Sequence, residues 1–140
     1  MQEVARHVAA GNRVIQIGGA SDPLLDGVAD HRGLPLRACG AMLARAACFV
    51  GLAGFFMHLA RAVECRSVIV FGGREAPWQS GYTANENLTS DIECAPCWQR
   101  SRCDHDRRCM TEILPRDVVQ AVERQLGRAG QPLPVATDTI

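Results

Sequence analysis

Residues 48–73 read CFVGLAGFFMHLARAVECRSVIVFGG. Two short apolar runs, 48–50 and 67–71, each end on glycine, and between them Phe55, Leu59 and Val63 recur at i, i+4 and i+8. Apolar runs of this length suit strands covered on both faces, and the intervening spacing suits the buried stripe of a helix. Strand, helix and strand in that order make a βαβ unit, whose strands run parallel. A third run of the same kind, 13–17, precedes Gly18 and Gly19. Helical patterns at 2–10, with Val4 and Val8 on one face, and at 37–47 fill the intervals. The alternation predicts an α/β domain with a doubly wound parallel sheet over residues 1–128. Residues 30–33 fit a short strand edge or a turn equally well.

Beyond Gly73 the pattern changes. Residues 74–110 carry Pro77, Gly81, two asparagines and four cysteines without periodicity, which predicts a long irregular, cysteine-rich excursion. Order returns with Pro115 at a helix start and Val118, Val119, Val122 and Leu126 on one face, with Gly127 as the expected stop. Residues 129–140 read as a flexible tail.

Composition bounds the function classes. The chain has 140 residues, 47% hydrophobic and 21% charged, with zero formal net charge. That is an ordinary globular composition, and it lacks the basic excess that nucleic-acid binders usually show. No lysine occurs, and the arginines are scattered. Met1 to Ala10 has no apolar signal region, and the most apolar run, 46–57, is too short to span a bilayer. The expectation is a cytoplasmic protein, either free or peripheral at the inner membrane, with no transmembrane segment. Its thiols are then expected to be reduced or metal-bound.

Three constellations carry chemistry. Gly51 and Gly54 lie between a strand and a helix opening with Phe55, Phe56, Met57 and His58. At the carboxyl end of a parallel strand, a helix N-terminus offers free N–H groups to a phosphate, and glycines let backbone approach it. The plainer reading is a tight turn, with His58 a packed histidine. Arg74 and Glu75 follow the next strand, where Arg could pair with phosphate oxygens and Glu could accept from sugar hydroxyls; a solvated local ion pair is the alternative. Cys94, Cys97, Cys103 and Cys109 are separated by two, five and five residues. Four thiolates so spaced can wrap one tetrahedral Zn or Fe ion in a structural role, standing in for a hydrophobic core. His105 could replace one of them, and unligated thiols are the alternative. Cys39, Cys48 and Cys65 fall on helix or strand positions and read as small core residues.

Together these residues resemble the C-terminal domain of family 9 glycosyltransferases, the heptosyltransferase family. The resemblance rests on Phe49-Val50-Gly51, on Met57-His58-Leu59-Ala60, and on the apolar strand and glycine loop of 67–75. It extends to the Cys94–Cys97 segment, the Cys109-Met110 pair, and upstream to Gln16-Ile17-Gly18-Gly19 and 30–33. It implies one half of a type B enzyme, which is built from two Rossmann-like domains, with this half binding a nucleotide-diphosphate sugar. Gly18, Gly51, Gly54, Phe55, Phe56, Met57, His58, Arg74 and Glu75 would border that donor. Transfer of a sugar such as heptose, with inversion and without a catalytic metal, is what the family implies. One departure stands out: the family's Asp-Thr-Gly-Pro turn is here Ala53-Gly54-Phe55-Phe56, which removes two polar side chains from the donor contacts.

The acceptor domain and general base of such enzymes precede this half, and residues 1–12 cannot replace them. The chain is therefore expected to be a fragment or half of a split enzyme, inactive alone and without a catalytic residue of its own. A separate N-terminal acceptor-domain chain or a homo-oligomer would complete it. The alternative function is a non-catalytic metal-knuckle interaction module.

Overall fold

The computed structural model describes residues 1–99 and 102–133. Eleven elements follow one another within them: α1 (Gln2–Ala9), β1 (Ile15–Gln16), β2 (Ala29–Asp30), α2 (Leu36–Leu43), β3 (Phe49–Leu52), α3 (Phe55–Ala62), β4 (Ser67–Val70), α4 (Pro77–Ser80), β5 (Glu86–Leu88), α5 (Arg108–Thr111) and α6 (Pro115–Leu126). All strand pairs are parallel, as the α/β reading requires.

The strands form two sheets rather than one. Among the described residues β1 pairs only with β2, while β3, β4 and β5 make a three-stranded sheet with β4 in the centre. Strand β4 is buried at all four positions, and its side chains alternate between two cores. Val68 and Val70, with Val50 and Leu88, pack against Val4 of α1 and Val118, Val119 and Val122 of α6. Ile69 and Phe71, with Phe49, pack against Met57 of α3. Helices thus cover both faces of the sheet, which is why its central strand tolerates no polar residue after Ser67. A third cluster ties Leu43 of α2 to Ala60 and Cys65, and Ile17, just after β1, leans on it.

Two expectations need correction. The third strand of the larger sheet is β5, drawn from the stretch expected to be wholly irregular; residues 13–17 pair elsewhere. Glu86 and Asn87 have weak strand propensity, but β5 is an edge strand, where one face and one side need not be apolar. Its polar side chains find partners on α6 instead: Glu86 accepts from Arg124 Nε at 2.8 Å and from Gln125 Nε2 at 3.1 Å. The ambiguous residues 30–33 are both things at once, the end of β2 and then a turn. In that turn Arg32 pairs with Asp30 at 2.8 Å and also reaches the Asp22 carbonyl.

Helix α6 begins as expected, with Pro115 in its first turn and Asp117 accepting the Leu114 N–H at 3.1 Å. It ends at Gly127, although this glycine keeps right-handed helical backbone, φ −63°. Residues 134–140, most of the expected tail, lie outside the described residues, as do Arg100 and Ser101 in the cysteine-rich excursion. Among the described residues no helix is long and apolar enough to cross a membrane.

Candidate functional site

Strands β3 and β4 are paired in register from Phe49↔Ser67 to Leu52↔Val70, so their carboxyl ends stop side by side. The Ala53 N–H continues the ladder to the Val70 carbonyl at 3.1 Å. The chain then turns at Gly54 into α3. Gly54 has φ 154° and ψ −163°, a conformation reserved largely for glycine, and no atom lies within 4 Å of where a Cβ would sit. No side chain caps the helix. Met57 N–H donates to the Gly54 carbonyl at 3.1 Å, and the N–H groups of Phe55 and Phe56 have no acceptor among the described residues. Two backbone donors and the positive end of the helix dipole thus stand at a strand end, next to a glycine with open space over it.

The residues singled out from the sequence divide by environment. His58 is exposed on the first turn of α3, and its Nδ1 lies 2.8 Å from Tyr82 Oη, with the two rings edge to face. Phe55 is 58% exposed and stacks edge-on against Phe56. Met57 is only 1% exposed, so its side chain belongs to the core and only its backbone faces the turn. Gly51 has a packing reason: a Cβ there would come within 2.5 Å of the Phe49 ring.

Arg74 is exposed, four residues beyond the end of β4, and Glu75 accepts a hydrogen bond from Ser80 Oγ at 2.8 Å. Gly18 follows β1, next to Ile17, which packs in the same cluster as Phe56 and Leu59 of α3. There the Asp22 carboxylate takes the Gly19 N–H at 2.7 Å, so a built-in anion already occupies that corner.

Tyr82 was missed by sequence reasoning. It is the chain's only tyrosine and sits in a loop, and nothing in a pattern of spacing pairs it with His58. Nor does spacing reveal Asn85 and Asn87. The Asn85 N–H and Asn87 Nδ2 both donate to the Tyr82 carbonyl, each at 3.1 Å. Asn85 Nδ2 and Asn87 Oδ1 are buried without a partner among the described residues.

The cysteine segment docks on the same strand end. Cys97 N–H donates to the Gly73 carbonyl at 2.7 Å, and Trp98 N–H to the Arg74 carbonyl at 3.0 Å. A Cβ on Gly73 would meet Cys109 Cβ at 3.0 Å, Cys109 Sγ at 3.2 Å and Ala95 Cβ at 3.4 Å. Glycine here is what lets the 94–97 turn and Cys109 approach the same point. Cys103 Sγ accepts the Arg107 N–H at 3.4 Å. All four thiols are free of disulfides. Among the described residues, however, no three His, Cys, Asp or Glu side chains lie close enough to form a ligand set as they stand. The expected four-thiol cage is therefore not assembled: Cys103 lies on the surface, while Cys94, Cys97 and Cys109 are half-buried. Cys39 and Cys65 are buried as expected. Burial pushes the half-buried Cys48 thiol up to about 12 and that of Cys65 to about 11, as befits inert core thiols.

A cleft of about 440 Å³ lies at the other end of the sheet, lined in part by Arg61, Glu64, Arg66 and Gln131. It does not touch the α3 turn.

No protein-family model matches the sequence, and neither does any curated protein. Among the solved structures that share the fold are two of one protein. One is the bacterial iron-containing dodecameric glycosyltransferase TibC from enterotoxigenic E. coli H10407, with TM-score 0.75 and 24% identity over 90% of this chain. The other is the dodecameric iron-containing heptosyltransferase TibC in complex with ADP-D-β-D-heptose, with TM-score 0.76 and 23% identity over 90% of this chain. The chain spans 39% of the length of each of those proteins. At this identity the likeness establishes a heptosyltransferase-like fold.

Proposed function

We propose that this chain is the donor-binding half of a type B glycosyltransferase of the family 9 kind, taking a nucleotide-diphosphate sugar at the α3 turn. One observation carries the reading. The N-terminus of α3 has no side-chain cap and follows the carboxyl end of a parallel strand, with open space over Gly54 and His58 on its first turn. A diphosphate placed there accepts the Phe55 and Phe56 N–H groups and a hydrogen bond from His58. Arg74 lies on the adjoining loop and supplies positive charge. As the bond to the anomeric carbon breaks, negative charge grows on the departing nucleotide diphosphate, and these fixed donors stabilise it without reorganising. The acceptor and its general base belong to a second half, supplied by another chain or by further residues. Gly18 contributes least, since Asp22 fills its corner.

The donor chemistry of the cysteine segment fits a structural Fe or Zn ion. Cys94, Cys97, Cys103 and Cys109 would hold it; Gly73 leaves the room two of those segments need, and Cys103 already accepts an N–H as ligating thiolates do. Such an ion supplies cross-linking of a loop that has little apolar core, and takes no part in transfer. The solved TibC structures, described as iron-containing and in one case as holding ADP-heptose, support both parts of this reading.

Ligand bound only by the folded state raises the melting temperature. Thermal unfolding with ADP, GDP or UDP is expected to show a rise with at least one of them at millimolar concentration. No shift with any would remove the donor reading. The exposed Trp78 and Trp98, 80% and 56% accessible, favour the second reading of an interaction module. That module would instead bind a partner protein, lose it on chelation, and ignore nucleotides.

A further inference from the structure

His58 alone is an indifferent phosphate ligand, because a neutral imidazole presents one donor and one acceptor nitrogen and either can face outward. Its neighbour removes that ambiguity. We propose that Tyr82 is a positioning residue that fixes the His58 tautomer, holding Nδ1 as acceptor so that the Nε2–H is the donor offered to a nucleoside diphosphate. The inference rests on the donor-site reading above and adds to it the residue that makes His58 competent.

The pair is held from several sides. The Tyr82 ring packs on the core formed by Met57, Ile69 and Phe71. Its carbonyl accepts both the Asn85 N–H and Asn87 Nδ2, each at 3.1 Å, which pins the backbone. Gly81 makes the approach possible: a Cβ there would lie 2.6 Å from the Pro77 carbonyl and 3.2 Å from the tip of Phe71. A phenol so fixed is an unmoving reference for the helix above it. Between a phenol and a neutral imidazole, O–H is the better donor and the unprotonated ring nitrogen the better acceptor. The 2.8 Å contact therefore runs from Oη–H to Nδ1. The ring proton must then sit on Nε2, which has no partner among the described residues. The reverse arrangement would turn a lone pair toward the phosphate and repel it.

The test is Tyr82→Phe, which keeps the ring in its core and removes only the hydroxyl. In the unaltered chain with ¹⁵N-labelled histidine at pH about 8.5, well above the ordinary histidine range, His58 is expected to show a protonated Nε2 and a hydrogen-bonded acceptor Nδ1. Comparison with His58→Asn assigns the signals. In Tyr82→Phe the Nδ1 resonance is expected to move to the free-acceptor position, and ADP affinity to fall roughly three- to tenfold, the range for one lost hydrogen bond. A protonated Nδ1 in the unaltered chain overturns the inference. So do unchanged ring resonances, or unchanged ADP affinity, in Tyr82→Phe when the unaltered chain binds ADP. If the unaltered chain binds GDP or UDP and not ADP, that nucleotide takes the place of ADP in the comparison; if it binds none of the three, the donor-site reading falls and takes the phosphate role with it. That outcome appears in the wild-type titration alone and is not confused with the others.

Discussion

Gly18 and Gly54 share φ 154° and differ in what surrounds them. A Cβ on Gly18 would lie 2.5 Å from Asp22 Oδ2, whereas one on Gly54 would meet nothing within 4 Å. Both positions cost strain for any other residue, on the order of 1–3 kcal/mol. Gly18→Ala must also displace a carboxylate that holds the Gly19 N–H, and Gly54→Ala displaces nothing. Urea unfolding is therefore expected to show the larger loss in Gly18→Ala; equal losses would mean that the Asp22 clasp contributes nothing. From the sequence both glycines read as turn residues that could let backbone approach the donor. Asp22 separates them: it sits four residues beyond Gly18, and no spacing rule shows that its side chain folds back over that turn. Met57 illustrates the converse. Its place in a helix was legible, but whether its side chain met ligand or core depended on the packing of β4 beneath it.

At the scale of elements, the strongest periodicities proved the most faithful. Helix α3 and strand β4 stand where the apolar spacing put them, because each meets its core with local pattern alone. Strand β5 was illegible for the opposite reason. Its hydrogen bonds to β4 and its Glu86 contacts with α6 supply what Glu86-Asn87-Leu88 lacks in propensity. A similar long-range tie anchors the segment after α6. Arg66 is buried, with its guanidinium donating to the Gln131 carbonyl at 2.6 Å, the Pro132 carbonyl at 3.2 Å and Gln125 Oε1 at 3.5 Å. Arg66→Met keeps much of the apolar stem and removes these bonds. Limited trypsin digestion is expected to cut after Arg128 several-fold faster in this variant, in line with roughly 1–3 kcal/mol of local stability lost with bonds from a charged group. An unchanged cleavage rate would mean the segment is held by other contacts.

The whole molecule is a three-layer α/β unit whose two candidate functions meet at one place. The α3 turn follows the carboxyl end of β3, and Arg74 with the cysteine segment follows that of β4, the end of an open parallel sheet at which ligands bind. The cysteine segment rests on Gly73 and Arg74 through backbone hydrogen bonds, so ordering that segment also orders the loop beside the proposed phosphate site. The chain purified anaerobically is expected to take up one equivalent of Fe(II) or Zn(II) by elemental analysis, and Cys94→Ser/Cys97→Ser to take up none. Chelation should lower the melting temperature of the loaded chain by several degrees, on the order of the 1 kcal/mol or more that moves a domain of this size. Stoichiometric metal in the double variant would exclude the cysteine ligand set.

What the sequence determined by itself is the set of elements whose identity follows from near neighbours. These are the apolar runs that need two covered faces and the helix stripes that need one. The tertiary structure alone decided which distant residues came together. His58 meets Tyr82 across 24 positions, β5 completes a sheet from a stretch with no strand pattern, and Asp22 closes one glycine corner while Gly54 stays open. The reason is physical. Periodicity records how a residue faces its own element, which is set within a few bonds. Pairing between distant side chains depends on how whole elements pack, and that is written in the summed burial of the chain rather than in any one stretch of it.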